Sequence, residues 1–340
     1  MKKVMIYPIS IDLKETFKYF KTDDEKANIK LVVFNEREIL SELPNIKNIS
    51  VFFLDYIEGF TPLEEYQKVL EFLMINHVHI MMGYPLYDKL GLNESSEMIE
   101  IVNPLYCQKM NEFKQKKSKF TYFDIPIVAV AGEGSNCDKF KTCLEMKKQT
   151  EKKEYKVMTV VANSLGYFMG AKLFPKEMFQ NDIALQVKIH IFREWLIKEA
   201  KEDKPDMILI EIPGGILPLC EKEPNQYGEA NLIISSAFKI DYTVINLYYD
   251  EVFLEEHLND LEKICKYRLS MPLTAIGICR QQYLASIDRP LVEYRYYRDK
   301  DLTEVSIPGI YKNIKTYDES SIDKFMDYLI DQMSSNLCVV

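Results

Sequence analysis

The sequence predicts an α/β protein built from two doubly wound, mainly parallel sheets. Short apolar runs alternate with helical patterns along most of the 340 residues, and continuous apolar strands separated by helices are typical of parallel sheets. The length suits two domains at about 150 residues each. A glycine-rich turn, following the apolar run 125–131, opens a second series of strands and helices.

The first series predicts a Rossmann-like domain over residues 1–119, including a connector. Its predicted strands are Val4–Tyr7, Lys30–Phe34, Ser50–Leu54 and His79–Met82. The charged stretch 111–119 (NEFKQKKSK) is the predicted connector, with the domain boundary near residue 120. No GxGxxG follows the first strand, so the sequence gives no support for the usual dinucleotide site.

Two strand ends of this first domain carry residues that could form a site. Asp55 follows the third strand, and Gly83 opens the turn after the fourth. Because the carboxyl ends of parallel strands share one edge, where open α/β sheets bind ligands, we expect both residues to line a peptide or partner site.

The second domain is predicted over residues 120–340. Its predicted strands are Ile125–Ala131, Lys156–Ala162, Met207–Ile212, Tyr242–Tyr248 and Leu273–Cys279. Its predicted helices are Lys139–Glu151, Asp182–Lys201, Val252–Tyr267 and Ser320–Ser335.

The first strand of this domain leads into a degenerate phosphate-binding loop. The stretch from Ile127 to Phe140 runs strand, glycine-rich loop, lysine, helix. In a P-loop, the backbone N–H groups and the helix N-terminus surround a phosphate, the lysine reaches the outer phosphates, and the following Ser or Thr holds Mg²⁺. Gly132 and Lys139 are spaced as in the lengthened loop of the dethiobiotin synthetase type, which this domain resembles.

Two substitutions alter the chemistry of that loop. Asp138 replaces the glycine before the lysine, where it would add negative charge near a β-phosphate, and Phe140 replaces the metal-binding hydroxyl. Ser135 or Thr142 could supply a hydroxyl, although neither holds the usual position. A glycine-rich turn that serves packing alone is the alternative interpretation.

A second element supports the phosphate-loop interpretation. The strand before Glu211 ends in that acid, and the pair Gly214-Gly215 follows, which matches the Glu-x-x-Gly-Gly sequence of dethiobiotin synthetase relatives. Glu211 is therefore predicted as the metal-binding and catalytic acid, with Lys139 as the second catalytic residue. The predicted nucleotide-binding residues are Gly132, Gly134, Ser135, Asn136, Lys139, Gly214 and Gly215, and the candidate cofactor is ATP or GTP with Mg²⁺.

Longer stretches of the second domain resemble one particular family. The segments GEGSNCDKF, YKVMTVVANS and FPKEMFQNDIALQVKIHIFREWLIKEAKEDKPDMILIEIPGGILPL are similar to peptide maturation system proteins. These are encoded beside radical-enzyme maturases and bacteriocin-like precursor peptides in clostridia. In that family the Asp-Lys-Phe form of the loop is the usual one. The resemblance implies that the protein takes part in the modification of a ribosomally made peptide. It implies no particular reaction.

Other candidate residues have two interpretations each. Cys137 lies at a helix N-terminus, where an exposed thiol would have a lowered pKa and could act as a nucleophile. Arg280 could contact a base or phosphate, or form a surface salt bridge. Asn163 and Ser164 follow a strand and could contact substrate or only form a turn. His190 could be a ligand or a partly buried, hydrogen-bonded side chain.

Composition excludes several classes of protein. The net charge of −9 gives no overall positive field for nucleic acid or an anionic membrane. Seven cysteines without CxxC spacing indicate reduced thiols. No apolar run reaches the ~18 residues of a membrane helix, and no secretory signal is visible. The expected location is therefore cytoplasmic.

The leading hypothesis is an accessory protein in peptide maturation that binds a nucleotide or another phosphate-bearing group at Gly132–Lys139. If the loop uses nucleotide, the missing hydroxyl predicts slow or partner-dependent turnover. The alternatives are a non-catalytic scaffold that docks the precursor peptide or maturase, and an ATP-dependent ligase or transferase. The expected partners are the precursor peptide, the maturase or both, without nucleic acid or membrane, and a homodimer stays open.

Overall fold

The computed structural model describes residues 3–8, 16, 30–33, 49–57, 60–92, 97–106, 123–221, 224–250, 253–284, 293–298, 301–302, 307 and 311–337. The chain forms two compact units. One comprises Met1–Leu105 with Asn163–Phe179, and the other comprises Tyr106–Ala162 with Gln180–Val340. The predicted connector 111–119 and the boundary near residue 120 lie outside the described residues. The chain is therefore not divided at a single point, because the segment Asn163–Phe179 belongs to the first unit.

The first unit contains a parallel five-stranded sheet. Its strands are β1 (Lys3–Tyr7), β2 (Lys30–Val33), β3 (Ile49–Phe53), β4 (His79–Met82) and β5 (Ile99–Ile101), in the order β2-β1-β3-β4-β5. The described helices are α1 (Leu63–Ile75) and α2 (Tyr84–Lys89), and the segment Asn163–Phe179 adds two 3₁₀ turns and the short β8 (Lys172–Leu173). This is a doubly wound strand order, with its reversal between β1 and β3.

The apolar face of α1 packs into the core of this unit. Tyr66, Leu70 and Leu73 are buried at helical spacing, and they pack with Tyr7 and Phe53 of the sheet. The three aromatic rings contact one another with centroids 5.5 to 6.0 Å apart. Burial of such large side chains is the main favourable contribution to the stability of the unit.

The second unit contains six parallel strands. They are β6 (Ile127–Gly132), β7 (Val157–Val161), β9 (Met207–Glu211), β10 (Tyr242–Leu247), β11 (Leu273–Ile278) and β14 (Lys312–Lys315), in the order β14-β11-β10-β6-β9-β7. An antiparallel hairpin of β12 (Gln281–Leu284) and β13 (Glu293–Tyr296) follows β11. The prediction of two mainly parallel α/β sheets is confirmed.

Five described helices accompany this sheet. They are α3 (Lys139–Lys152), α4 (Leu185–Asp203), α5 (Glu229–Ala237), α6 (Glu255–Lys263), which continues as a π turn to Arg268, and α7 (Glu319–Leu337). On α4, Phe192, Leu196 and Ala200 are buried at helical spacing, and Trp195 is buried beside them. Among the described residues, no helix is long and apolar enough to cross a membrane.

The central strand β6 places the glycine-rich loop. After β6 the chain crosses to β7, returns through β9 to one side of β6, and then continues through β10 on the other side. The strand order therefore reverses at β6. In open α/β sheets the crevice at this switch point, beyond the carboxyl ends of the strands, is the usual ligand site.

Candidate functional site

The glycine-rich loop follows the predicted strand–loop–helix path. Strand β6 ends at Gly132, and α3 begins at Lys139. Gly132 is required because a Cβ there would lie 2.2 Å from the Cys137 sulfur. Gly134 is required because a Cβ there would lie 2.2 Å from the Tyr248 hydroxyl oxygen. Both glycines allow the loop to fold closely around neighbouring side chains.

The Lys139 ammonium group lies inside the loop. It donates to the carbonyl oxygens of Gly134 at 2.5 Å, Ser135 at 3.1 Å and Gly214 at 2.6 Å. The residue is only 3% exposed. An ammonium group has three N–H donors, so these carbonyls account for all of them. Lys139 therefore joins its own loop to the segment after β9.

The glycine pair after β9 also packs against the loop. A Cβ on Gly215 would lie 2.4 Å from both the side-chain nitrogen of Asn225 and the carbonyl oxygen of Glu133. Asn225 donates to the carbonyls of Leu217 at 2.7 Å and Glu133 at 3.4 Å. It also accepts from the Ser135 hydroxyl at 3.4 Å. Gly215 therefore makes a close backbone contact with the loop itself.

The loop and first helical turn keep a run of unused backbone donors. Within the described part of the chain, the backbone N–H groups of Asn136, Cys137, Asp138, Lys139 and Phe140 have no protein acceptor. Further along the helix, the Thr142 amide donates to the Asp138 carbonyl at 2.8 Å. Successive free N–H groups at a helix N-terminus form an anion-binding arrangement.

Asp138 is hydrogen-bonded to residues that are distant in the sequence. It has a left-handed backbone, with φ of 56°. Its carboxylate accepts from the Gln281 amide at 2.8 Å and the Thr316 hydroxyl at 3.0 Å. The carboxylate is therefore held by Gln281, the first residue of β12, and by Thr316, which follows β14.

The residues near the lysine do not fit a P-loop magnesium site. Phe140 is buried and presents no oxygen. The Thr142 hydroxyl is fully buried and accepts from the Asn246 amide at 2.9 Å. Ser135 bonds Asn225, as described above. Among the described residues, no group of three or more His, Cys, Asp or Glu side chains is arranged to hold a metal.

Glu211 lies at the end of β9, as predicted. Its carboxylate accepts from the Ala162 backbone N–H at 3.0 Å, just beyond the neighbouring strand β7. Burial raises the pKa of the nearby Cys143 thiol well above its ordinary range, and the negative charge of Glu211 raises it further. The acid is thus close to α3, held by a backbone group, and it is a single candidate metal ligand.

Two residues that support the loop were missed by the sequence analysis. Asn246 on β10 lies beside Gly132 in the strand register, and its amide donates to the Cys137 carbonyl at 2.8 Å. His257 on α6 lies 3.0 Å from the Glu133 carboxylate. No local signal marks either residue, because their proximity to the loop depends on strand order and helix packing.

Cys137 does not meet the condition for a reactive thiol. It is fully buried and its sulfur donates to the Gly134 carbonyl at 3.1 Å. Burial raises the pKa of the thiol, and the positive charge of Lys139 offsets this only in part. Because the thiolate is the nucleophile, a covalent role for Cys137 has no support in this geometry.

Two further candidates lie elsewhere than expected. Arg280 is 5% exposed, and its guanidinium lies 5.0 Å over the Tyr296 ring and 5.8 Å over the Tyr317 ring. Arg280 is therefore buried, and the expectation that it lies on the surface is wrong. His190 is exposed on α4, so the expectation of a partly buried histidine is also wrong.

Asp55 and Gly83, which follow two strands of the first unit, lie close together. Ser164 donates to the Asp55 carboxylate through its backbone N–H and its hydroxyl, both at 2.7 Å. A Cβ on Gly83 would lie 2.7 Å from that carboxylate. Asn163 accepts from the Leu165 N–H at 3.0 Å. The polar pair Asn163-Ser164 thus forms a turn and hydrogen bonds within this unit.

The comparisons with known proteins give structural likenesses only. No protein-family model and no curated protein matches the chain. A DUF1611 family protein from Anabaena variabilis is 12% identical, with 82% of this chain and 88% of that chain covered and a TM-score of 0.49. Cobyrinic acid a,c-diamide synthase from Mycobacterium smegmatis is also 12% identical, with 62% of this chain and 96% of that chain covered. Its TM-score is 0.37 with bound ADP and magnesium and 0.38 with an ATP analogue and magnesium. At these values the likenesses assign no ligand or reaction to this chain.

Proposed function

We propose that the second unit binds a phosphate-bearing group at the loop Gly132–Lys139 and does not carry out magnesium-dependent nucleotide hydrolysis. The observation that carries the proposal is the run of unused N–H groups from Asn136 to Phe140, beside a buried lysine at a helix N-terminus. Such groups favour an anion through both hydrogen bonding and the helix dipole. Phe140, in place of a hydroxyl, argues against the magnesium ion.

Lys139 supports this function mainly as a fixed positive charge. Its donors hold the carbonyls of Gly134, Ser135 and Gly214, so it keeps the loop in shape while its charge attracts a phosphate. Hydrogen bonds to charged groups contribute about 1.5–3 kcal/mol each. Removal of the ammonium group takes away both the three hydrogen bonds that hold the loop and the nearby positive charge, so it should weaken binding of a phosphate ligand by about tenfold or more.

Calorimetric titration of the purified full chain with inorganic phosphate, ATP, GTP and slowly hydrolysed nucleotide analogues, with and without Mg²⁺, tests this proposal. Lys139→Ala is the loop variant. Lys148→Ala is the matched control on the same helix, where Lys148 forms a partly exposed pair with Glu319 at 3.1 Å. Binding that is lost only in Lys139→Ala supports the proposal. Equal binding in both variants, or none to folded protein, would count against it.

A non-catalytic scaffold is the second candidate function, and one observation favours it. The three donors of Lys139 are all satisfied by protein carbonyls, which leaves none for an outer phosphate. On this view the loop keeps its fold but binds no phosphate. The double variant Asp138→Gly with Phe140→Thr should then create magnesium–nucleotide binding that the parent lacks. Phosphate binding by the parent would contradict the scaffold hypothesis.

We further propose that the protein serves as an accessory factor in maturation of a ribosomally made peptide, with the precursor peptide or its maturase as partner. The support is the resemblance of GEGSNCDKF and the two longer segments to peptide maturation system proteins. Binding of the precursor peptide is tested by fluorescence anisotropy, with the labelled precursor peptide that is encoded nearest to this chain's gene. Binding of the maturase is tested by co-elution with the purified maturase that is encoded beside it. Failure of both would reject the proposed setting and leave the phosphate site standing.

A further inference from the structure

Asp55 places a carboxylate at the carboxyl edge of the sheet in the first unit. It follows β3, and the strand order of this sheet reverses between β1 and β3. In open α/β sheets, ligands bind beyond the carboxyl ends of the strands at such a reversal. Asp55 is partly exposed there, although the surrounding protein desolvates its carboxylate enough to raise the pKa. The residue is therefore both desolvated and open to solutes.

The Asp55 carboxylate keeps acceptor sites after its contacts within the chain. Oδ1 accepts from the Ser164 hydroxyl and Oδ2 from the Ser164 backbone N–H, both at 2.7 Å. An ionised carboxylate offers about four lone-pair sites, and these two hydrogen bonds leave the others unused. In the part of the chain that the structure describes, no lysine, arginine or histidine pairs with Asp55. A desolvated negative charge without a cation is unfavourable, so this position favours a positively charged donor.

Tyrosine side chains surround the carboxylate. Burial raises the pKa of the Tyr66 hydroxyl and the negative charge of Asp55 raises it further, which places the two groups close together. The Tyr66 ring centroid lies 5.7 Å from that of Tyr7 and 6.1 Å from that of Tyr56. The Lys89 ammonium group lies 4.1 Å from the centroid of the partly exposed Tyr56 ring. Tyrosine faces attract cations within about 6 Å, so this aromatic surface suits an ammonium group.

We propose that the first unit binds a primary ammonium group at Asp55, carried by a small amine, a lysine side chain or the N-terminus of a peptide. The ammonium group donates to the lone pairs of the carboxylate that Ser164 does not use, and the tyrosine rings lie beside it. Hydrogen bonds between two charged partners are the strong ones. No residue of the glycine-rich loop takes part, so the proposal and the phosphate site can fail independently.

The probe for this site is n-propylammonium, titrated into the full chain at neutral pH and constant ionic strength and followed by amide ¹H–¹⁵N spectra. The neutral probe of the same size is n-propanol. Saturable shifts are expected at Gly83 and Ser164, whose backbones lie beside the carboxylate. Propanol should bind at least about tenfold more weakly, because it lacks the charge. Equal binding of the two probes, or no saturable shift from propylammonium in folded protein, would overturn the proposal.

Asp55→Asn tests the carboxylate, because asparagine keeps the shape and removes the charge. Asp88→Asn is the matched control, an exposed acid on α2 of the same unit. Propylammonium affinity should fall about tenfold in Asp55→Asn and stay at the parent value in Asp88→Asn. The same affinity in Asp55→Asn and the parent would contradict the proposal. If Asp55→Asn does not fold, the comparison of propylammonium with propanol in the parent decides the question.

Two further probes distinguish the source of the ammonium group. Nα-acetyl-lysine methylamide carries it on a side chain, and alanine methylamide carries it at the N-terminus. The tighter of these two identifies the kind of peptide group that the site prefers, provided that it exceeds propylammonium in affinity. Propylammonium as the tightest of the three would indicate a small amine. Each of these results supports recognition of ammonium at Asp55.

Discussion

The side-chain nitrogen of Lys139 lies 2.6 Å from the carbonyl oxygen of Gly214, although 75 residues separate them in the chain. This hydrogen bond joins the first turn of α3 to the segment after β9. The two glycine-rich elements that the sequence analysis identified separately are therefore parts of one structure. Its stability depends on close backbone contacts as well as on the lysine.

Gly215→Ala should destabilise the second unit. The added methyl group would lie 2.4 Å from the Glu133 carbonyl, which is backbone and cannot turn away. Overpacking of this kind costs about 1–3 kcal/mol in the free energy of unfolding. Urea denaturation measures the change, and Ser235→Ala on α5, a residue whose hydroxyl bonds its own helix at 3.4 Å, is the control. An unchanged midpoint in Gly215→Ala would mean that the loop and the glycine segment are farther apart.

Asn246→Ala should also destabilise this unit, through the start of α3. The variant leaves the Cys137 carbonyl and the Thr142 hydroxyl without their donor, and both residues are fully buried. The expected loss is about 2–4 kcal/mol, from an unsatisfied buried acceptor and the small cavity that remains. Chemical denaturation followed by circular dichroism gives the value. A loss below about 0.5 kcal/mol would show that these hydrogen bonds are not maintained in solution.

His257 should make stability depend on pH near neutrality. Its hydrogen bond with Glu133 raises the pKa of the imidazole above the ordinary value near 6.5. A raised histidine pKa gives stability that is fully present below the unfolded pKa and is lost as pH rises through the folded pKa. The free energy of unfolding should therefore fall from pH 6 to pH 8, by a modest amount because the pair is half-exposed and screened by water.

His257→Gln is the variant that isolates this effect. It keeps a hydrogen-bonding side chain and removes the titration, so the pH-dependent part between pH 6 and pH 8 should disappear. Denaturation curves at several pH values for the variant and the parent measure the difference. A parent curve that rises with pH over this range, or a variant curve identical to the parent, would contradict the assignment.

In the first unit, the Asp55–Ser164 contact predicts different effects for two variants. Burial raises the pKa of the Asp55 carboxyl, and the hydrogen bonds from Ser164 offset this in part. The buried charge therefore opposes folding at neutral pH, and stability should increase as pH falls through the folded pKa toward the unfolded pKa. Ser164→Ala removes a hydroxyl donor from the carboxylate and should cost about 1–3 kcal/mol. Asp55→Asn should cost less at pH 7 and should abolish the gain on acidification. Thermal unfolding between pH 4 and pH 7 distinguishes the two.

The parts of the fold that depend on local pattern were predictable. The strand before Gly132, the helix from Lys139 and the strand ending at Glu211 follow from apolar runs and glycine positions. The supporting residues were not predictable, because Asn246, His257 and Gln281 reach the loop through strand order and packing over more than 100 residues of sequence. The hydrogen bonds of the Asp138 carboxylate were not predictable either, since its partners Gln281 and Thr316 are distant in the sequence and its backbone is left-handed.

The central claim is that the backbone N–H groups at the start of α3 bind phosphate. Amide ¹H–¹⁵N spectra of the full chain, recorded during titration with inorganic phosphate, test it most directly. The account predicts saturable shifts concentrated on the amides of Asn136 to Phe140, with no such shifts in folded Lys139→Ala. Spectra that show no change at these amides, or changes of equal size in Lys139→Ala, would contradict it.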